Sequence, residues 1–155
     1  MRRSDRKIKN IGEILEIIKE NKVLRLAMTD GVKPYIIPLN YGYTCIDGRL
    51  AFYFHCAKEG KKLEILAKNN NVCFEIDSRH ELVSAEVDCG WSYKFASVVG
   101  EGTFSIIEDE AGKHRALCEL MKHQTGCDRE YNFPSMDEVL VCRLDITEFT
   151  GKANR

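Results

Sequence analysis

Two Asp-Gly pairs, Asp30-Gly31 and Asp47-Gly48, punctuate stretches rich in β-branched and aromatic residues, the pattern of strands that fold back on one another. Glycine adopts a positive φ at little cost, so each pair permits the tight reversal a hairpin needs. Val23 to Thr29 reads as a strand leading into the first pair, Pro34 to Tyr43 as the next, and Arg49 to His55 alternates as a third. Pro38 cannot donate to a sheet ladder and so marks a bulge or a sheet edge. The result is a β-meander.

Helical spacing brackets this meander. Ile11, Ile14, Leu15 and Ile18 share one face of a helix that ends near Asn21, and Leu63, Leu66 and Ala67 define a second within Glu59 to Asn69. Val72 to Ile76 returns to strand. Asp77 to Tyr93 is irregular, and Leu82 to Val87 within it is open between strand and mobile loop. Phe95 to Ile107 is a long β-rich run whose Gly100 and Gly102 let it bend sharply. Asp109 to Gln124 is a third helix with Leu117, Leu120 and Met121 on one face, and Val139 to Phe149 is a closing strand. The expectation is a mainly β (α+β) chain of six or more mostly antiparallel strands with flanking helices.

A chain of 155 residues, 44% of them apolar, can bury one hydrophobic core without disulfides or a structural metal, so residues 1–155 are expected to form one domain. The 23 basic and 24 acidic residues nearly cancel, which removes any global attraction to nucleic acid. The basic cluster Arg2, Arg3, Arg6 and Lys7 reads as a solvated lead-in to the first helix. Apolar runs such as Leu50 to Phe54 are too short to span a bilayer, and no hydrophobic signal core precedes them, so a cytoplasmic location is expected. An odd count of seven cysteines fits reduced thiols.

The segment with the most chemistry is Arg49 to Leu66, in which a strand ends at His55-Cys56-Ala57 and Gly60-Lys61-Lys62 opens a helix. A helix start offers unpaired backbone N–H groups and the positive end of a dipole, and Lys61 and Lys62 add charge beside it. That is a phosphate cradle. On this window alone, lysines on a solvated helix face explain the sequence equally well.

This segment, with Ile37 to Tyr43, Asn71 to Asp77, Trp91 to Gly102 and Ile146 to Lys152 in the same order, resembles the FMN-binding split β-barrels of the pyridoxamine 5′-phosphate oxidase-like superfamily. It looks most like their nitroimidazole-resistance branch. The resemblance implies FMN as cofactor, with the phosphate near His55, Cys56, Ala57, Lys61 and Lys62, and the ring edged by the backbone of Ile37, Pro38, Leu39 and Asn40. It implies that Trp91 and Ser97 contribute from the long strand, that His55 is the candidate catalytic residue, and that a homodimer forms the site from both subunits. The implied activity is reduction of a small organic acceptor, a nitro compound included, by a reduced nicotinamide. Relatives often carry a small or hydroxyl residue where this chain has Cys56, and an arginine where it has Ala96. Lys94 is a candidate replacement for that charge.

Other chemistries are legible but weaker. His114-x3-Cys118 and His123-x3-Cys127 put pairs on one helical face, yet no C-x2-C completes a zinc signature, and no metal is expected. His55 and Cys56, as strand neighbours, point to opposite faces and make no nucleophile–base pair. Haem is an alternative cofactor, because some split barrels bind it, with an exposed His55 or His123 as the axial ligand. A non-catalytic flavin or haem module is the alternative function, and oxidation of pyridoxamine phosphate itself lacks a second arginine-rich phosphate site.

Overall fold

The computed structural model describes residues 3–155; Arg2 of the basic cluster lies outside them. The elements run β1 (Lys7–Ile8), α1 (Ile11–Glu20), β2 (Val23–Asp30), β3 (Lys33–Asn40), β4 (Gly42–Ile46), β5 (Arg49–Cys56), α2 (Lys61–Lys68), β6 (Asn71–Val83), β7 (Ser92–Ile106), α3 (Glu110–Thr125) and β8 (Leu140–Asn154), with three short 3₁₀ turns. Local chemistry sets the boundaries. Asn10 and Asp109 cap α1 and α3 by accepting from Gly12 N and Gly112 N at 2.8 and 2.7 Å. Asp47 and Gly48 take positive φ of 52° and 77° in the β4–β5 hairpin.

All strand pairs are antiparallel, and the eight-stranded sheet has the order β3-β2-β6-β7-β8-β5-β4, with β1 added to β8. Its two ends, β3 and β4, are consecutive in the chain and meet only through Tyr41. A covalent corner therefore closes the seam where a closed barrel would have a ladder: the barrel is split. Tyr41 is fully buried, its hydroxyl donates to Ile18 O at 2.6 Å, and its ring packs edge-on against Phe52.

Two sequence expectations are corrected, the undivided strand from Pro34 to Tyr43 and the exposure of His123. Pro34 to Tyr43 is not one strand, because the chain leaves its ladder with β2 at Asn40 and joins β5 at Gly42. Pro38 lies on the edge strand β3 with no break in register. Within the segment 77–93, residues 77–83 are the end of β6, whose register with β7 shifts between Ser78 and Glu81, residues 84–91 lie outside any strand, and residues 92–93 open β7. And His123 is not an exposed candidate ligand but buried, with its ring nitrogens at 2.6 Å from Tyr41 O and 3.2 Å from Lys19 O. Burial pushes its pKa below the usual histidine value, against the opposing effect of the Tyr41 carbonyl. It ties α3 to α1 and to the Tyr41 corner.

Inside the barrel, Leu24, Leu26, Phe52, Phe54, Phe74, Ile76, Val98 and Leu144 form the core, plugged by Ile17 and Ile18 of α1 and by Ile65 and Leu66 of α2. Helix α3 covers the outer side of β5 and β8, where Ala116 and Leu117 pack on Val141. On β3-β2-β6-β7, α1 and α2 pack from the core side through Ile17, Ile18, Ile65 and Leu66, and the opposite face, with Arg25, Ile36, Pro38 and Val99, is exposed. No helix among the described residues is long and apolar enough to cross a membrane.

Candidate functional site

Two groups of polar residues stand out, at one end of the barrel and on its uncovered face. The first is the β5–α2 turn. Strand alternation sends His55 outward and Cys56 inward. His55 is exposed and opens into a cavity of about 320 Å³ with Leu117, Met121, Phe133 and Met136, under α3. Cys56 is buried with its Sγ 3.8 Å from that of Cys142. The contact with Cys142, assisted by Lys62, draws the Cys56 thiol below its usual pKa, and the same contact together with burial pushes Cys142 up. Ala57 is exposed in the turn.

Gly60 then takes φ 137°, a conformation that L side chains rarely adopt, and turns the chain into α2. Leu63 N donates to its carbonyl at 2.9 Å, and no side chain caps the helix. The start of α2 thus presents backbone N–H groups beside Lys61, which is exposed, and Lys62, which is half-buried. Lys61 reaches the β2–β3 hairpin: its Nζ lies 3.8 Å from Asp30 and 4.7 Å from the centre of the Tyr35 ring.

The second group crosses the uncovered face. Registers place Pro38 of β3 beside Arg25 of β2, Arg25 beside Glu75 of β6, Asp77 of β6 beside Ser97 of β7, and Ser97 beside Lys152 of β8. Arg25 Nη1 lies 2.5 Å from Asp77 and 3.5 Å from Glu75, and His80 Nε2 lies 2.7 Å from the other Asp77 oxygen. Burial, and then the charge of Asp77, push the Glu75 carboxyl above its usual pKa. On the same face is a cavity of about 460 Å³ lined by Ala27, Thr29, Pro34, Cys73 and Glu101 among others. Beyond it, the β6–β7 hairpin exposes Leu82 (60%), Val87 (61%), Trp91 (48%) and Tyr93 (50%).

Cys56, Ala57, Lys61 and Lys62 lie around the start of α2, whereas Pro38 and Asn40 of β3 share the outer face with Ser97 of β7 but are separated from it by β2 and β6. Ile37 and Leu39 pack against the core, leaving their backbone on the edge strand. His55 stands apart from both, and Trp91 stands at the base of β7. Lys94 pairs with Glu81 at 2.9 Å. Sequence reasoning missed Arg25, Asp77 and His80. The charges at 25 and 77 sit on strands of the right parity, but His80 does not, and only the register shift accounts for it. Cys118 lies 3.6 Å from His114, and no metal-holding group of three His, Cys, Asp or Glu residues occurs among the described residues.

Residues 10–153 match the family model described as pyridoxamine 5′-phosphate oxidase. Among solved structures, a candidate 5-nitroimidazole antibiotic resistance protein from Bacteroides thetaiotaomicron is 32% identical over 96% of this chain and 90% of its own, with a TM-score of 0.80. An FAD-binding protein from Mesorhizobium loti is 22% identical, covering 97% of this chain and 98% of its own, with a TM-score of 0.68. An FAD- and haem-binding protein from Mycobacterium smegmatis is 16% identical, covering 97% and 74%, with a TM-score of 0.77. The last two share the fold. No relative of curated function matches.

Proposed function

The chain belongs to the pyridoxamine 5′-phosphate oxidase family, and on that premise we propose that it binds FMN and acts as an oxidoreductase, passing electrons from a reduced nicotinamide to a small organic acceptor. The observation that carries this reading is the uncapped start of α2, with Lys61 and Lys62 beside it, tied by Lys61 to the β2–β3 hairpin. A phosphate is held there by charge and by backbone N–H donors. Asp30 and Arg25 are five residues apart on β2, a span of about 17 Å at the usual strand rise, so phosphate and ring ends of one elongated cofactor have separate places along a single ribbon.

Bound FMN supplies the electron-transfer chemistry. The chain's own part is to hold and orient: the free edge of β3 from Ile37 to Asn40 offers backbone donors and acceptors to the polar rim of a ring, and Ser97 adds a hydroxyl. His55 and Trp91 are the candidate residues for the substrate side. A second copy of the chain completes the site by covering the exposed Leu82, Val87, Trp91 and Tyr93, an apolar set that a lone subunit leaves in water. The seven free thiols suit a reducing compartment, the cytoplasm. The relative from Bacteroides favours a nitro compound as acceptor.

The test is turnover. FMN-loaded protein, kept anaerobic with NADH or NADPH, is expected to oxidise the nicotinamide faster when a 5-nitroimidazole is added, followed at 340 nm. Protein that retains FMN yet oxidises neither nicotinamide, with or without acceptor, would leave a non-catalytic flavin module in place of the enzyme.

A further inference from the structure

On a regular strand, Asp77 and His80 would project from opposite faces, because residues three apart have opposite parity. In β6 they do not. Between the pairs Ser78↔Ala96 and Glu81↔Lys94, β6 advances by one residue more than β7, which is a β-bulge. The extra residue brings His80 round to the outer face, where its Nε2 lies 2.7 Å from Asp77 Oδ2 and its ring stands 5.9 Å from that of Tyr93.

The bulge is costly. Arg79 is held at φ 60°, a left-handed conformation that a residue with a side chain resists, and Ser78 Oγ is buried without a hydrogen-bond partner. Two unfavourable features at adjacent positions are retained around the one histidine that lies in the charged network of the uncovered face. Backbone strain of this kind gathers where a side chain must be aimed.

Resting on the flavin reading above, we infer that His80, oriented by Asp77, is the catalytic acid of the outer-face site. Reduction of an acceptor A by a reduced nicotinamide, A + NADH + H⁺ → AH₂ + NAD⁺, takes two electrons and one proton from the donor as hydride and a second proton from elsewhere. The His80 imidazolium gives up that second proton and regains it from solvent. Asp77 accepts from Nε2–H, which fixes the tautomer and leaves Nδ1 to exchange the proton. The charged groups around the imidazole are arranged for this. Arg25 takes the other Asp77 oxygen, Glu75 lies behind Arg25, Arg79 is drawn off to Glu20 of α1, and Lys94 is paired with Glu81. Tyr93 is the titratable ring facing His80 from β7.

Two measurements test this. In the first, the protein is treated with diethyl pyrocarbonate with and without FMN, and acylation at each histidine is read by peptide mass spectrometry. FMN is expected to slow acylation of His80 several-fold more than that of His114. In the second, His80→Gln is expected to bind FMN as the parent does, to reduce acceptor about 100-fold more slowly, and to regain rate with added imidazole. FMN uptake without protection of His80, or a variant with the parent's rate, overturns the proposal while leaving the flavin reading intact. A parent that takes up no FMN overturns both.

Discussion

The Lys61→Ala, Lys62→Ala double variant is expected to bind FMN about 100-fold more weakly than the parent, in fluorescence titrations at matched salt. A hydrogen bond to a charged group contributes roughly 1.5 kcal/mol or more, so two lysines on one phosphate account for about 3 kcal/mol, and each 1.4 kcal/mol is tenfold in affinity. The fold leans little on Lys61. Lys61 is 55% exposed at its side chain, and its 3.8 Å contact with Asp30 is a surface pair of small worth, as is its contact with the Tyr35 ring. The variant's urea midpoint is therefore expected to lie near the parent's. An unchanged FMN affinity would remove the phosphate from the start of α2.

The largest effect on stability is expected at Gly42. A Cβ built there falls 2.3 Å from Leu120 N and 2.4 Å from Leu120 Cα, so the backbone of α3 lies directly on the first residue of β4. Neither partner is the movable end of a side chain. For Gly42→Ala, α3 has to lift away, and the bonds that pin it go with it: His123 and Gln124 to Tyr41 O, and Gln124 to Lys22 O. Overpacking and the orphaned Tyr41 carbonyl together cost about 4 kcal/mol. That lowers the melting temperature by roughly 10 °C or more in a chain of this size. Gly48→Ala is the control: it has the φ of 77° but nothing within 4 Å, and is expected to cost only about 1 kcal/mol in strain. Equal losses in the two variants would contradict the close approach of α3 to β4.

The same contacts explain what the sequence discloses. Hairpins are local, so Asp30-Gly31 and Asp47-Gly48 mark their turns without reference to the rest of the molecule. The helices are likewise legible, since one apolar face is enough to place α1 against the barrel. The corner at Tyr41 is not local. Pro34 to Tyr43 is uniformly strand-like, and its division depends on which strands lie beside each half. His123 follows from that corner, because its burial is set by the Tyr41 carbonyl it meets and not by any pattern within α3.

At the candidate site, Lys61 and Lys62 are legible because a helix start is a local event. Arg25 and Asp77 become a pair only through the β2–β6 register, and His80 joins them only because a bulge reverses the parity that a reading of alternation relies on. The end of β6 is obscure for a related reason. Leu82 and Tyr93 are both exposed, so the hairpin has no buried face to impose a pattern.

Flavin binding by this chain is tested most directly by an absorbance spectrum of the protein after incubation with FMN and passage through gel filtration, with a parallel sample given hemin. Flavin bands that travel with the protein in an equimolar ratio are the predicted result. Complete separation of FMN from the protein, with a Soret band in the hemin sample, would contradict it and put haem in place of flavin.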